Sequence, residues 1–112
     1  MTFDQIRKKL STKTVGIAGC GGLGSNCAVA LARSGVGHLI ITDFDIISES
    51  NLNRQFYFTH QVGQRKASTL KENIAMVNPA VKVTVFDEKI TGDNIERLFQ
   101  PCDIVVEAFD LA

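Results

Sequence analysis

The sequence predicts an α/β domain of the Rossmann-like, doubly wound type, with a mainly parallel sheet of strand order 3-2-1-4. Short apolar segments with strand character alternate with segments of helical periodicity, which is typical of parallel sheets covered by helices. A glycine-rich turn follows the first of these strands, and an aspartate ends the second. The length of 112 residues fits a single domain, residues 1–112, with residues 1–13 as an N-terminal arm.

The first half of the chain alternates between helix and strand. A short helix carries Phe3, Ile6 and Leu10 on one face, and residues 14–18 form a buried strand. Residues 23–34 are rich in alanine and leucine and predict a helix that ends at Gly35. Residues 38–42 form the second strand.

The second half begins with a long polar and aromatic segment, residues 44–65, of a length that is uncommon in compact domains unless it is functional. Residues 67–77 have helical periodicity and stop before Pro79. Residues 81–86 and 104–108 predict strands three and four. Between them, Asp93 and Glu96 form a possible capping box for another short helix. Because such sheets usually continue, we expect the N-terminal part of a larger domain, truncated at its C-terminus.

Composition excludes several classes of protein. Twelve basic and twelve acidic residues give a formal net charge of zero, so we expect neither a nucleic acid nor a membrane as partner. Three cysteines without a C-x-x-C pair predict neither a disulfide framework nor a zinc site. The polar N-terminus and the absence of a long apolar run favour a cytoplasmic protein.

The stretch VGIAGCGGLGSN predicts a phosphate-binding turn. Gly19, Gly21 and Gly24 fit the pattern G-x-G-x-x-G, and Gly22 lies within it. This spacing brings bare backbone and a helix N-terminus close to a phosphate. Asp43 ends the second strand, where a carboxylate binds ribose hydroxyls. The alternative is a tight strand–helix turn with a solvated aspartate.

Residues further along the chain bear on which nucleotide is bound. Arg54 and Lys66 supply more positive charge than a dinucleotide needs, which favours a triphosphate. Asn51 and Gln55 add neutral hydrogen-bonding groups. Asp110 follows the fourth strand, where a carboxylate suits Mg²⁺. Taken singly, each has an alternative explanation: Arg54 and Lys66 as solvated surface charges, Asn51 as the cap of a turn and Asp110 as a loop residue.

The blocks GCGGLGSN, DFDIISESNLNRQF, VGQRKA and EAFD resemble the ThiF/MoeB/HesA family, the adenylating core shared with ubiquitin-activating enzymes. The likeness covers residues 14–110 and is greatest to ThiF-type sulfur-carrier adenylyltransferases. It implies that ATP and Mg²⁺ are used to adenylate the C-terminal glycine of a small ubiquitin-like sulfur-carrier protein, with release of pyrophosphate, in thiamine-type sulfur transfer. It also implies a homodimer.

The resemblance assigns roles to particular residues. Arg54, Lys66 and Asp110 would be catalytic, and Asp110 would hold Mg²⁺. The residues assigned to the nucleotide are Gly19, Gly21, Gly22, Gly24, Asp43, Asp45, Asn51, Arg54, Gln55 and Lys66.

Two other functions stay open at this point. An NAD-dependent Rossmann oxidoreductase would share the glycine turn and Asp43, and a non-catalytic partner subunit would share the fold. Cys20, Cys27 and Cys102 match no nucleophilic cysteine of the family. Arg7 is a candidate for reaching a partner's active site, although a solvent-facing role fits its position better.

Overall fold

The sheet consists of four parallel strands in the computed structural model, which describes residues 1–108. In chain order they are β1 (Thr14–Ala18), β2 (His38–Thr42), β3 (Lys82–Phe86) and β4 (Ile104–Glu107). Their spatial order is β3-β2-β1-β4, and every pairing is parallel. The predicted fold class and strand order are therefore confirmed.

Four helices accompany the strands: α1 (Phe3–Leu10), α2 (Gly22–Ser34), α3 (Lys66–Val77) and α4 (Ile95–Phe99). The alternation of side chains along β2 explains why both faces of the sheet are covered. Leu39 and Ile41 join the larger apolar cluster with α2 and α3. Ile40 faces the other way and packs with Leu98 and Phe99 of α4.

The register of the sheet aligns the ends of all four strands. Ala18, Thr42, Phe86 and Glu107, the last residues of β1 to β4, form one row. The segments that leave this row therefore share the carboxyl edge of the sheet, which is where open parallel sheets bind ligands. The glycine turn and Asp43 both emerge there.

Helix α1 lies at the opposite, amino edge, and Leu10 is its one residue that packs against the larger apolar cluster among the described residues. A capping box between Thr2 and Gln5 starts it, and none of its residues is buried. The backbone N–H of Gly37 donates to the Leu10 carbonyl, and the Arg7 guanidinium donates to the Arg33 carbonyl. The predicted helix is present, but tertiary contacts bury little of its apolar face.

The capping box predicted at Asp93 and Glu96 is wrong. Helix α4 follows Asn94 and has no side-chain cap. The Asn94 side chain instead folds back to accept from the Thr91 backbone N–H and to donate to the Lys89 carbonyl. This local turn uses the polar groups that a cap would need. No helix among residues 1–108 has the length and apolar character needed to cross a membrane.

Candidate nucleotide-binding site

The glycine turn joins β1 to α2 through backbone contacts that only glycine permits. Gly19 has a φ of 104°, in the left-handed region, and its N–H donates to the Thr42 carbonyl. A methyl group on Gly24 would overlap the Gly19 carbonyl. The glycine turn therefore packs directly against the first helical turn of α2.

The N-terminus of α2 presents free hydrogen-bond donors. No side chain caps it, and no hydrogen bond within residues 1–108 uses the N–H groups of Gly22, Leu23 or Gly24. Orphan N–H groups and the helix dipole together favour an anion at this position.

Asp43 lies beside the turn and is half-buried. Its Oδ2 accepts the Cys20 N–H at 2.7 Å, and its Oδ1 accepts the Asp45 N–H at 2.7 Å. A carboxylate has about four lone-pair positions, so capacity for ribose hydroxyls is left. Asp43 is thus also a structural clamp on the glycine turn, a role that the sequence did not suggest. The Asp45 side chain is exposed, and its carbonyl accepts the Lys66 N–H.

The long segment after β2 is a closed loop with two 3-10 helices, Glu49–Asn51 and Thr59–Gln61. Its ends meet where Ile47 exchanges backbone hydrogen bonds with Gly63 and Gln64. Its middle is anchored to α3 by a buried pair of amide side chains, Gln61 and Asn73, which bond to each other at 2.6 and 3.1 Å. The loop therefore has a defined conformation.

Two side chains of α2 hold this loop against the glycine turn. Ser25 Oγ accepts the Phe56 N–H at 3.0 Å, and Asn26 Nδ2 donates to the Arg54 carbonyl at 2.8 Å. The aliphatic part of Arg54 lies over Gly22. The guanidinium donates to the Ser50 carbonyl and the Asn53 side chain from a single nitrogen, Nη1. Within residues 1–108 its other donors have no hydrogen-bond partner.

Gln55 and Asn51 behave differently from each other. Gln55 is 8% exposed, lies next to Gly21, and its buried Oε1 has no hydrogen-bond partner within the described part of the chain. Such an orphaned polar atom marks a place where a ligand or water completes the bonding. Asn51 Oδ1 accepts the Ser48 N–H and so caps the first 3-10 helix. That is the turn-capping role left open above.

Lys66, the first residue of α3, is a buried cation. It is only 7% exposed. The ion pairs within residues 1–108 join Arg65 to Asp87 and Arg97 to Glu88, so Lys66 has no carboxylate within 4.0 Å among the described residues. A buried and unpaired ammonium is costly, which suggests that it is kept for an anionic ligand.

Tyr57 is a site residue that the sequence did not reveal. Its hydroxyl donates to the Cys20 carbonyl, inside the glycine turn, at 2.6 Å. Tyr57 is the single tyrosine of the chain, and within the run FYF nothing distinguishes it from a core aromatic residue. Only the contact across 37 positions of sequence identifies it.

The Cys20 thiol is fully buried. Burial raises its pKa, the Asp43 charge raises it further, and the Lys66 charge acts in the opposite direction. A thiol in this state is not a nucleophile at neutral pH. This agrees with the expectation that Cys20 is not the family's reactive cysteine.

The structure brings most of the predicted residues together at the carboxyl edge. Asp110 lies outside the described residues, and within residues 1–108 no three His, Cys, Asp or Glu side chains cluster closely enough to hold a metal. The residues that meet around the start of α2 are Gly19, Gly21, Gly22, Gly24, Asp43, Arg54, Gln55 and Lys66.

The fold and the site define a class: a Rossmann-like α/β protein whose glycine turn, lysine and arginine suit a polyphosphate. The chain belongs to the ThiF family, whose model matches residues 2–112. It is 39% identical over 103 residues to the tRNA threonylcarbamoyladenosine dehydratase of Bacillus subtilis, covering 90% of this chain and 41% of that protein. It is 33% identical over 105 residues to the sulfur carrier protein adenylyltransferase of Thermus thermophilus, covering 93% of this chain and 39% of that protein.

A solved structure agrees closely with this fold. The E. coli tRNA N6-threonylcarbamoyladenosine dehydratase in complex with ATP matches with a TM-score of 0.91 at 33% identity, over 96% of this chain and 45% of that one. The chain thus spans less than half the length of these three relatives.

Proposed function

We propose that the chain is the nucleotide-binding core of an ATP-dependent adenylyltransferase. Its substrate is the C-terminal glycine carboxylate of a small ubiquitin-like sulfur-carrier protein, for sulfur transfer of the thiamine type. The observation that carries this proposal is the buried Lys66, which has no carboxylate partner among residues 1–108 and whose charge acts on Cys20 in the glycine turn. A relative named sulfur carrier protein adenylyltransferase supports it.

ATP fits the groups at the carboxyl edge. Asp43 accepts hydrogen bonds from the ribose, and the N–H groups at the start of α2 bind a phosphate. Arg54 and Lys66 contact the other phosphates, and Gln55 lies beside them. An E. coli relative with the same fold is in complex with ATP, which supports this nucleotide over NAD.

The reaction needs positioning and charge neutralisation more than proton transfer. A carboxylate oxygen of the carrier attacks the α-phosphorus, the bond from that phosphorus to the bridging oxygen breaks, and pyrophosphate leaves with the bonding electrons. No general base is required, because the carboxylate is already ionised at neutral pH. Arg54 and Lys66 stabilise the charge that gathers on the phosphates.

Magnesium belongs to the proposal through Asp110. When bound, Mg²⁺ would neutralise phosphate charge as a Lewis acid. Magnesium sites commonly combine one or two carboxylates with substrate phosphates, so a single aspartate beside ATP is a suitable protein ligand.

The first experiment compares nucleotides and then measures activation. ATP with Mg²⁺ should bind the protein and NAD should not, and ATP–pyrophosphate exchange should depend on a carrier protein ending in glycine. Asp110→Ala should abolish exchange, whereas Asp93→Ala, on an exposed loop, should not. Tighter binding of NAD than of ATP would favour the oxidoreductase. ATP binding without ATP–pyrophosphate exchange in the presence of any carboxylate substrate would favour a non-catalytic partner subunit.

A second substrate class is a carboxylate carried on tRNA. It is favoured by the 39% identity to a tRNA threonylcarbamoyladenosine dehydratase. The threonine part of that nucleoside has a carboxylate, so the same phosphorus chemistry would apply. Pyrophosphate exchange that requires modified tRNA, and not a carrier protein, would select this substrate and revise the expectation that no nucleic acid is a partner.

We also propose that the protein works as a homodimer in the cytoplasm. Three free cysteines suit a reducing compartment. Light scattering coupled to size exclusion would test the dimer, and a monomeric mass across the working concentration range would contradict it.

A further inference from the structure

One residue of the glycine turn is held from both sides. The N–H of Cys20 donates to Asp43 Oδ2 at 2.7 Å, and its carbonyl accepts from the Tyr57 hydroxyl at 2.6 Å. Cys20 is fully buried and Tyr57 is 5% exposed. The conformation of the turn therefore depends on two side chains that come from other parts of the chain.

The carbonyl contact fixes the direction of a neighbouring N–H. The structure has no cis peptide bond among the described residues, so the Cys20–Gly21 peptide is trans and planar. In such a peptide the C=O of Cys20 and the N–H of Gly21 point in opposite directions. Because the carbonyl points to Tyr57 in the core, the Gly21 N–H points away from it. No hydrogen bond within residues 1–108 uses that N–H.

The direction of this N–H matters because of where Gly21 lies. Gly21 is the N-cap of α2, directly before the uncapped first turn. Its N–H thus adds a further donor, without a partner in residues 1–108, to those of that turn, and is placed to bind the same anion. If the peptide rotated, a carbonyl oxygen would replace the donor and would repel a phosphate.

The Tyr57 hydroxyl is well suited to a permanent donor role. Burial raises its pKa, and the nearby Cys20 and Asp43 groups raise it further, so the proton stays in place. The same hydroxyl lies 3.4 Å from the Lys66 carbonyl, at the start of α3. It therefore stands between the glycine turn and the segment that carries the buried lysine.

We propose that Tyr57 is a positioning residue of this site, whose hydroxyl holds the Cys20–Gly21 peptide so that the Gly21 N–H faces the phosphate. The identity of the ligand as ATP rests on the proposed function. The orientation of the peptide rests on the contacts of Cys20 and applies to any phosphate ligand.

The test is Tyr57→Phe, which removes the hydroxyl and keeps the ring. We expect affinity for ATP and for inorganic pyrophosphate to fall about tenfold, as for the loss of one hydrogen bond and its alignment, and affinity for adenosine to stay unchanged. In the wild type, pyrophosphate should shift the amide resonance of Gly21, and in Tyr57→Phe this shift should be lost. Ile41→Val, a conservative change in the same core, is the control for lost stability alone and should bind pyrophosphate normally.

Each outcome is decisive. Unchanged pyrophosphate affinity in folded Tyr57→Phe, or an equal loss in Ile41→Val, would overturn the proposal. If Tyr57→Phe does not fold, the wild-type protein still tests the proposal. A Gly21 amide resonance that does not shift when pyrophosphate is added would overturn the proposal, and one that shifts would support it. If the wild-type protein binds pyrophosphate but not ATP, the proposed function is refuted, and the role of Tyr57 is still tested by comparing pyrophosphate affinities. If it binds neither ligand, the proposed function and the role of Tyr57 are both refuted.

Discussion

Gly19 and Gly24 touch each other across the glycine turn, with the Gly19 carbonyl occupying the place that a side chain on Gly24 would need. This contact brings the end of β1 against the first turn of α2. Among residues 1–108, no group accepts a hydrogen bond from the N–H groups of Gly22, Leu23 and Gly24 at the start of α2.

Gly24→Ala should therefore damage the site directly. The methyl group would meet backbone, which cannot rotate away as a side chain can, so the turn must shift. We expect ATP affinity to fall at least tenfold and the free energy of unfolding to drop by about 1–3 kcal/mol. Titration calorimetry and chemical denaturation measure the two effects. Gly92→Ala is the control, because no atom of residues 1–108 lies within 4 Å of a methyl group there. Normal ATP binding by Gly24→Ala would refute the close contact.

Lys66→Met should separate function from stability. The ammonium is buried without a carboxylate partner among the described residues, so an apolar side chain of similar length removes a desolvation cost. We expect the free energy of unfolding to rise by about 1 kcal/mol while ATP binding is lost. Chemical denaturation without nucleotide, beside ATP titration, measures both. Lys71→Met, exposed on the same helix, should change neither. A destabilised Lys66→Met would mean that the ammonium has an important structural partner.

Arg54→Ala should weaken ATP more than AMP. Within residues 1–108 only Nη1 of the guanidinium donates hydrogen bonds, and we propose that the other donors contact phosphates that AMP lacks. Loss of a charge-assisted contact should make the free energy of ATP binding less favourable by about 1.5–3 kcal/mol. Competition titrations with the two nucleotides give the difference. Arg97→Ala, whose guanidinium pairs with Glu88, serves as the control. Equal losses of ATP and AMP would place Arg54 at the adenosine or at the loop instead.

His38 should make the protein less stable in mild acid. Burial lowers its pKa below the usual 6.5, and the Lys82 charge lowers it further. The unfolded chain therefore takes up a proton at a higher pH than the folded protein. The contribution of neutral His38 to the free energy of unfolding is thus fully present above pH 6.5, and it is lost as the pH falls from that value toward the folded pKa. Chemical denaturation at neutral pH and near pH 5 should show a smaller pH effect in His38→Gln than in the wild type. His60→Gln, in the exposed loop, is the control; an unchanged pH effect in His38→Gln would contradict the prediction.

The outer edge of β4 should promote self-association of the 112-residue chain. Among the described strands, β4 pairs only with β1, and Ile104 and Val105 are 61% and 41% exposed. An apolar, strand-prone edge of this kind pairs readily with another chain. Light scattering should show a mass that rises with concentration, and Val105→Lys should reduce it. Met76→Lys, exposed on α3, is the control. A monomer over a wide concentration range, with cooperative unfolding, would show that the edge needs no partner.

Local sequence patterns were sufficient to predict many residues of the candidate site. The strand, turn and helix that contain Gly19, Gly21 and Gly24 are adjacent in sequence, so period and glycine spacing determine them. Asp43 was found for the same reason, since it directly follows a strand. The strand order followed from general rules of α/β topology applied to those elements.

Local sequence patterns could not predict the contacts between segments that are far apart in the chain. The sequence marks Lys66 as a cation, but only packing shows that it is buried without a carboxylate partner among residues 1–108. Asn51 and Gln55 look alike in sequence, yet Asn51 caps a turn, whereas the side-chain oxygen of Gln55 has no hydrogen-bond partner in the described part of the chain. At Asn94, a local turn competed with a helix cap, and the difference in energy between such alternatives is too small for residue type to decide.

By itself, then, the sequence determined the order of strands and helices, the glycine turn and the family resemblance, because each depends on residues close together in the chain. The tertiary structure alone decided how the turn is held. Asp43 and Tyr57 reach Cys20 across 23 and 37 positions of sequence: Asp43 accepts its N–H and Tyr57 donates to its carbonyl, so each holds one of the two peptide groups that flank Cys20. Hydrogen bonds of this kind depend on angstrom-scale placement of buried groups, which arises only when the sheet and helices pack together.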